Sequence, residues 1–148
     1  GDGRCFGLDI SPRMVARAAG RMKDLTNVRL EAADFIKWQP PPGVAFSCIF
    51  SMETFYYLGD IAAGIEKAAS LLSPSGMLMI LVNHYFENEA SHSWPRELST
   101  PMALWRAEEY LEAFRKAGLG DLRQMRLRDS DQAAGTLCTI GKKDGRIS

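Results

Sequence analysis

Short apolar runs alternate with amphipathic helical segments along most of this chain, and this alternation constrains the fold more than any other feature. Four runs have the length of buried strands, at residues 5–10, 27–32, 45–50 and 77–82. Helices are predicted over residues 12–24, 60–72 and 107–117, each with an apolar stripe or a capping residue. The pattern predicts an α/β fold with a doubly wound, mostly parallel, Rossmann-like sheet.

The C-terminal part departs from this alternation. Two further strands are predicted at residues 122–127 and 136–140, and only about eight residues separate them, which is too few for a parallel crossover. They are therefore expected to form an antiparallel hairpin at one edge of the sheet. A single domain is predicted over residues 1–141, followed by a polar tail over residues 142–148.

The composition narrows the classes of partner. Lys plus Arg equals Asp plus Glu at 18 residues each, so no long-range field would attract nucleic acid or an anionic membrane. The three cysteines show no metal-ligand spacing, which predicts no metal site and reduced, buried thiols in a cytoplasmic protein. No sequence feature indicates the oligomeric state.

Two carboxylates follow predicted strands. Asp9 ends the first strand and precedes a helix start at Ser11 and Pro12, a position that suits ribose hydroxyls. Asp34 follows the second strand and is suited to an adenine amino group. The alternatives are a capping carboxylate for Asp9 and an ordinary Asx turn for Asp34. Ile10 would lie against the base, or would simply be an inward strand residue.

The glycines at the start of the chain, Gly1 and Gly3, resemble the end of a glycine-rich turn that approaches a ligand closely. In dinucleotide folds the acid lies about 20 residues beyond such glycines, whereas Asp9 follows Gly3 after only about six. The spacing predicts that a helix is missing between Arg4 and Cys5, through disorder or deletion, and that a first strand before Gly1 is missing too.

With these residues in place, the chain resembles the class I S-adenosylmethionine-dependent methyltransferases of the broad small-molecule type, which includes the ubiquinone and menaquinone biosynthesis enzymes. The blocks that match in order are Gly-Asp-Gly, Gly-Leu-Asp-Ile-Ser-Pro, Ala-Ala-Asp-Phe and the strand before Ser-Met-Glu. Leu-Leu-Ser-Pro-Ser-Gly is similar to the family's Leu-Lys-Pro-Gly-Gly turn, with Ser75 in place of the first glycine.

The resemblance implies methyl transfer from S-adenosylmethionine to an O, N or C nucleophile of a small molecule. It places Asp9 on the ribose and Asp34 on the adenine, with Phe35 offering its backbone N–H and its ring. Ser51 and Met52, which follow the strand predicted at residues 45–50, would contact the methionine moiety. Because Ser-Met-Glu replaces the Asn/Asp-Pro-Pro-aromatic signature of nucleic-acid and protein amino methylation, that subclass is not favoured.

Aromatic and titratable residues follow the strands predicted at residues 45–50 and 77–82. These strands correspond to the fourth and fifth strands of the family, after which acceptors bind in such enzymes. The predicted acceptor-side residues are Glu53, Tyr57, Tyr85, His92 and Trp94, and the predicted catalytic residues are His84 and Tyr56. The alternatives are helix packing for the two tyrosines, a structural role for either histidine, and anchoring of a lid over residues 83–102 for Trp94.

Two other functions fit parts of the pattern. The same acid would hold the ribose of NAD in an oxidoreductase, and the fold alone is compatible with a non-catalytic adenosyl-binding domain. The Ala-Ala-Asp block and the terminal hairpin weigh against the oxidoreductase.

Overall fold

A computed structural model describes residues 3–127 and 134–145, and the chain forms two compact units, residues 1–42 and residues 43–148. Each unit has its own sheet, with two strands in the first and four in the second. The single domain expected over residues 1–141 stays a prediction.

The first unit is a β-α-β segment. Strand β1 (Cys5–Asp9) pairs in parallel with β2 (Val28–Ala32), and helix α1 (Pro12–Arg21) connects them. Helix α1 begins as predicted, because the Ser11 side chain accepts a hydrogen bond from the Met14 N–H at 3.4 Å. It ends about three residues earlier than predicted, and Met22 is its C-cap.

The second unit contains a four-stranded sheet in the order β3-β4-β6-β5. Its strands are β3 (Phe46–Met52), β4 (Leu72–Val82), β5 (Leu119–Leu127) and β6 (Thr136–Lys143). Strands β3 and β4 are parallel, whereas β6 is antiparallel to both of its neighbours. The predicted α/β class and the antiparallel C-terminal hairpin are confirmed.

Helices α2 (Ile61–Leu71) and α4 (Ala107–Lys116) supply much of the second unit's core. The Asp60 carboxylate caps α2 by accepting from the Ala63 N–H at 3.0 Å, as its position before the apolar stripe predicts. The residues that the two helices bury include Ile61, Ile65 and Ala68 from α2 and Tyr110 and Phe114 from α4. A 3₁₀ turn (Phe55–Tyr57) lies between β3 and α2.

Strand boundaries differ from the prediction around residues 72–76. The segment that resembles a family turn is part of β4, because Leu72 already pairs with Phe46 and a register shift follows before Cys48 pairs with Met77. Within this irregular stretch Ser75 has φ of 60°, a left-handed conformation that glycine adopts more easily. The family's glycine is therefore replaced at a position where the backbone favours one.

The C-terminal strands are longer than predicted. Strand β6 continues to Lys143, so the polar tail begins two residues later than residue 142. The Lys143 ammonium donates to the Leu72 carbonyl at 2.9 Å, which holds the end of the strand against the end of α2.

The segment over residues 83–102, predicted to be a lid or binding loop, contains short helical turns and deeply buried side chains. It contains a 3₁₀ turn (Glu89–Ser91) and the short helix α3 (Trp94–Glu97). Tyr85 is fully buried there, and its hydroxyl lies 3.0 Å from the carbonyls of both Ala134 and Gly135. This segment is packed against the rest of the unit.

The cysteines also differ from expectation. Cys138 is buried, but Cys5 and Cys48 are exposed, so the prediction of three buried thiols is wrong for two of them. Cys48 lies on the same face of β3 as Phe50 and Met52, and all three side chains are exposed.

Substitution of Gly76 by alanine is expected to destabilise the protein. An added Cβ would lie 2.8 Å from the carbonyl oxygens of both Phe46 and Ser73, and backbone atoms cannot move aside as side chains do. We expect a loss of about 1–3 kcal/mol and a fall in Tm of about 3–9 °C by calorimetry. Gly120→Ala is the matched control, because nothing lies within 4 Å of its added Cβ. An equal Tm for both variants would contradict the packing argument.

Candidate functional site

Asp9 lies at the carboxyl end of β1, as predicted, and is exposed. Its Oδ1 accepts a hydrogen bond from the Ser11 N–H at 2.8 Å, which is an Asx turn just before α1, whose N-cap is Ser11 and not Asp9. That bond occupies one carboxylate oxygen and leaves Oδ2 without a hydrogen bond within the part of the chain that the structure describes. The turn and ligand binding are therefore compatible at Asp9.

Asp34 lies at the same edge of the two-stranded sheet. Asp9 pairs with Ala32 in register, and the Ala33 N–H donates to the Asp9 carbonyl at 3.0 Å, which brings the two strand ends together. The Asp34 carboxylate forms an Asx turn with the Ile36 N–H at 3.0 Å, and its Oδ2 lies 3.6 Å from Lys37 Nζ. Asp34 is therefore more fully engaged by its own chain than Asp9 is.

The remaining predicted residues of the first unit are placed as follows. Ile10 is 75% exposed, which excludes the inward-packing alternative and leaves an apolar surface beside Asp9. Phe35 is half-buried next to Asp34. The Gly3 carbonyl accepts from the Asn27 side chain at 2.6 Å, while Gly1 lies outside the described residues.

In the second unit, the carboxyl ends of β3 and β4 meet around Glu53. Ser51 and Met52 are the last residues of β3; Ser51 is half-buried and Met52 is 51% exposed. The Glu53 N–H donates to the Leu81 carbonyl at 2.9 Å, and Glu53 has φ of 57°. A left-handed non-glycine residue costs of order 1–3 kcal/mol, and such residues concentrate at functional sites.

Four side chains with rings lie next to one another, beginning with Tyr56, which contacts Glu53. The Tyr56 hydroxyl donates to Glu53 Oε2 at 2.8 Å, and the ring centroids of Tyr56 and Tyr57 are 4.6 Å apart. The His84 ring lies edge-on to Tyr56 at 5.5 Å and stacks on Trp94 at 6.2 Å. We call these residues the Glu53 cluster, which consists of Glu53, Tyr56, Tyr57, His84 and Trp94. The structure thus brings together five residues predicted to be catalytic or to contact the acceptor.

His84 is 1% exposed, and its two ring nitrogens have different environments. Nδ1 lies 3.0 Å from the Ser91 carbonyl, which can only accept, so Nδ1 carries the hydrogen. In the neutral ring Nε2 is then an acceptor, and it is buried without a hydrogen-bond partner. In this tautomer Nε2 is the basic nitrogen of the ring.

Burial governs the titration of this cluster. Burial lowers the pKa of His84, while the hydrogen bond to the Ser91 carbonyl opposes that effect and the charge of His92 adds to it. Burial and the bond to Glu53 both raise the pKa of Tyr56, so its hydroxyl stays protonated and is a donor rather than a base. At neutral pH the imidazole of His84 is therefore neutral.

Two polar residues of this region were not among the predicted site residues. Asn83 donates its backbone N–H to Glu53 Oε1 at 2.8 Å, and its side-chain oxygen is buried without a partner. Tyr110 of α4 has a buried hydroxyl without a partner among the described residues. Burial raises the pKa of Tyr110 most, and the negative charge of Glu53 raises it further. Asn83 was detectable in principle, because it is the first residue after β4.

Two predicted residues lie outside the cluster. Tyr85 is fully buried, and the carbonyls of Ala134 and Gly135 lie within hydrogen-bond distance of its hydroxyl, so it packs within the second unit. Its assignment to the acceptor side stays a prediction. His92 is exposed, and its Nε2 donates to the Phe86 carbonyl at 2.9 Å. A surface cleft of about 210 Å³ lies elsewhere, between α2 and α4, and contains none of the predicted residues.

Comparison with known proteins identifies the family. A family model described as a methyltransferase domain matches residues 1–76, which is more than half of the chain. The chain belongs to this methyltransferase family. The predicted family and fold class are thereby confirmed, and S-adenosylmethionine is the cofactor that the membership implies.

The relatives of this methyltransferase domain are longer than the chain itself. Nodulation protein S of Rhizobium fredii is 32% identical over 75 residues, which are 49% of this chain and 42% of that protein. The chain therefore spans less than half the length of this curated relative.

Solved structures extend the likeness to nearly the whole chain. One chain from the complex between the Haloferax volcanii Trm112 methyltransferase activator and a methyltransferase is 33% identical, with a TM-score of 0.88. The match covers 96% of this chain and 73% of that one. The N-methyltransferase NodS of Bradyrhizobium japonicum, bound to S-adenosylhomocysteine, has a TM-score of 0.71 at 19% identity and covers 95% of this chain and 66% of its own. At that identity the likeness concerns the fold alone.

Proposed function

We propose that this chain supplies the catalytic domain of an S-adenosylmethionine-dependent methyltransferase that acts on an O, N or C atom of a small molecule. The observation that carries the proposal is the family match over residues 1–76, the stretch that contains Asp9, Asp34 and β3. The equal numbers of basic and acidic residues favour a small acceptor over nucleic acid.

The residues of the first unit fit an adenosine group. Asp9 has a free, exposed carboxylate oxygen at a strand end, and Ile10 beside it offers an exposed apolar side chain. We assign the ribose hydroxyls to Asp9, the adenine to Asp34 and Phe35, and the methionine moiety to Ser51 and Met52. Gly1 and Gly3 remain candidates for backbone contact with the cofactor. When bound, S-adenosylmethionine supplies an electrophilic methyl group on a sulfonium.

The chain's own contribution to chemistry is assigned to His84 and Tyr56. Nε2 of His84 is the atom placed to accept a proton from the acceptor nucleophile, because it is buried, unprotonated and without a partner. Tyr56 acts as a positioning residue, since its hydroxyl donates to Glu53 at 2.8 Å. Trp94 orients His84 through ring stacking, and His92 influences His84 through its charge.

Ligand-induced stabilisation tests the cofactor assignment. S-adenosylhomocysteine at about 100 times its Kd should raise the unfolding free energy by about 2.7 kcal/mol, which corresponds to a Tm increase of about 5–10 °C. NAD at the same concentration should leave Tm unchanged. Stabilisation by NAD alone would support the oxidoreductase instead, and stabilisation by S-adenosylhomocysteine without any methyl transfer would support a non-catalytic adenosyl-binding domain.

Partners and location are further proposals. The Haloferax complex motivates a search for a protein partner of this chain as well. No helix among the described residues is long and apolar enough to cross a membrane. No group of His, Cys, Asp and Glu in residues 3–127 and 134–145 is arranged to hold a metal ion. A cytoplasmic location stays a prediction from the three unpaired cysteines.

A further inference from the structure

Glu53 is a half-buried carboxylate with no positive partner within residues 3–127 and 134–145. Its Oε1 accepts from the Asn83 N–H at 2.8 Å and its Oε2 accepts from the Tyr56 hydroxyl at 2.8 Å. The ion pairs of the described chain involve Glu31, Asp34 and Glu112, and none of them involves Glu53. Both of its oxygens accept hydrogen bonds from neutral donors, which suits the ionised form, but the charge itself is not compensated.

This arrangement costs stability. Burial raises the pKa of Glu53 against the opposing hydrogen bonds from Tyr56 and Asn83, so desolvation of the charge outweighs them. The left-handed backbone at the same residue adds strain. A glutamine would satisfy similar hydrogen bonds without the charge, because an amide both accepts and donates. The charge is therefore better explained by recognition than by folding.

The surroundings of Glu53 favour a cation. The Tyr56 and Tyr57 rings are 4.6 Å apart; Tyr56 is buried, whereas Tyr57 is 45% exposed, so a molecule can approach the pair from solvent at Tyr57. Aromatic faces carry partial negative charge and attract ammonium groups, with an energy that increases as water is excluded. An anionic acceptor such as a carboxylate would be repelled by Glu53, and a neutral alcohol would gain nothing from the charge.

We propose that Glu53 and Tyr57 recognise the ammonium group of an amine, and that nitrogen is the atom that the domain methylates. This inference rests on the proposed methyltransferase function and names its acceptor class. The Glu53 carboxylate and the exposed Tyr57 ring bind the ammonium form, and the buried Tyr56 positions the carboxylate through its hydroxyl.

The transfer can be written with every atom accounted for. An ammonium N–H passes its proton to Nε2 of His84, which becomes an imidazolium, and the nitrogen regains its lone pair. The nitrogen then bonds to the methyl carbon, and the bond from that carbon to sulfur breaks with its electron pair kept by sulfur. The products are the methylated ammonium and S-adenosylhomocysteine, and His84 returns its proton to solvent.

A second source of the same chemistry exists, because the amino acid part of the methyl donor also carries an ammonium group. The two sources are separated by measuring donor binding and amine binding independently in Glu53→Gln. If Glu53 serves the acceptor, the variant binds S-adenosylhomocysteine within about threefold of the wild type by calorimetry, because donor contacts are unaffected. If Glu53 serves the donor, that Kd rises while amine binding is unchanged, and the acceptor assignment is overturned.

Amine binding is measured with benzylamine as the cationic probe and benzyl alcohol as the neutral isostere. Chemical-shift titration of the full chain should show benzylamine binding that weakens by about 5–30-fold in Glu53→Gln, the range expected for loss of one desolvated charge contact. Benzyl alcohol should bind more weakly and be insensitive to the substitution. Glu66→Gln, an exposed carboxylate on α2, is the matched control. Benzylamine binding that is absent, or equal in all three proteins, would overturn the proposal.

Two further readouts make the result independent of misfolding and of the methyltransferase proposal. Because the charged form of Glu53 is disfavoured in the folded state, Tm of Glu53→Gln at pH 7.5 should equal or exceed that of the wild type, and the difference should shrink as the pH falls toward 4.5. Tritiated methyl groups from S-adenosylmethionine should enter amines and not matched alcohols or acids. Transfer to an alcohol would overturn the amine inference while leaving methyl transfer intact; absence of donor binding would remove the methyltransferase function itself.

Discussion

Replacement of Asp9 by alanine is expected to abolish the stabilisation of this protein by S-adenosylhomocysteine. A carboxylate that accepts two ribose hydroxyls makes two charge-assisted hydrogen bonds, each worth about 1.5–3 kcal/mol. Their loss should raise the Kd by a factor of about 10² or more, which isothermal titration calorimetry measures directly. An unchanged Kd would remove Asp9 from the site.

The hydrogen bond from the Ser11 N–H to the Asp9 carboxylate requires its own control. Asp9→Ala also removes the acceptor of the Ser11 N–H at the start of α1, so part of any effect on folding is unrelated to the ligand. Asp60→Ala removes a similar backbone bond, to the Ala63 N–H at the start of α2, and has no proposed contact with the cofactor. Both variants should lose stability without ligand, but only Asp9→Ala should lose affinity.

The contrast between Asp9 and Asp34 shows why sequence predicts the place of a site residue better than its use. Strand ends are encoded locally by the apolar run and the capping signal, and both residues lie at strand ends as predicted. Whether a carboxylate is free depends on backbone N–H groups and cations that folding brings near it. Lys37 lies close to Asp34, whereas Asp9 retains a free oxygen, and neither fact is contained in the motif.

The Glu53 cluster was predictable as a set of residue types but not as an arrangement. Parallel strands place the residues after β3 and β4 at one edge, so proximity of Glu53 to Asn83 follows from topology. The tautomer of His84 does not, because it depends on the Ser91 carbonyl seven residues away in a segment without sequence periodicity. For the same reason the packed role of Tyr85 was missed: its partners, Ala134 and Gly135, lie about 50 residues further along the chain.

The two units of the chain have separate sheets. The expected helix between Arg4 and Cys5 stays a prediction, and it concerns the segment just before β1. Among the described residues no strand joins β1 and β2 to the four-stranded sheet. The apolar alternation predicted each strand well, but periodicity carries no information about which strands share a sheet.

Replacement of His84 by glutamine is expected to reduce kcat by a factor of about 10²–10⁴, the usual contribution of a positioned general base. Glutamine can still donate to the Ser91 carbonyl, so the variant keeps the hydrogen bond that Nδ1 makes at 3.0 Å while losing the basic nitrogen. The Kd for S-adenosylhomocysteine should stay within about threefold of the wild type, which separates a chemical defect from a binding defect.

The pH dependence of kcat is a second test of the role of His84. Because burial lowers the pKa of His84 below 6.5, the neutral, proton-accepting form persists at neutral pH. The wild-type kcat should therefore stay constant from pH 8 to about 6.5 and fall only in more acidic solution, where the imidazole becomes protonated. In His84→Gln that acidic limb should disappear.

His92→Gln provides the comparison, because it is the only other histidine in the sequence. Its Nε2 already donates to the Phe86 carbonyl, and its ring is exposed, so kcat should fall by less than about fivefold. Removal of the His92 charge should also move the acidic limb of the wild-type profile toward higher pH, since that charge lowers the pKa of His84. A loss of kcat in His92→Gln as large as that in His84→Gln would transfer the role of base to the exposed histidine, and the unpartnered Nε2 of His84 would then be a feature of packing alone.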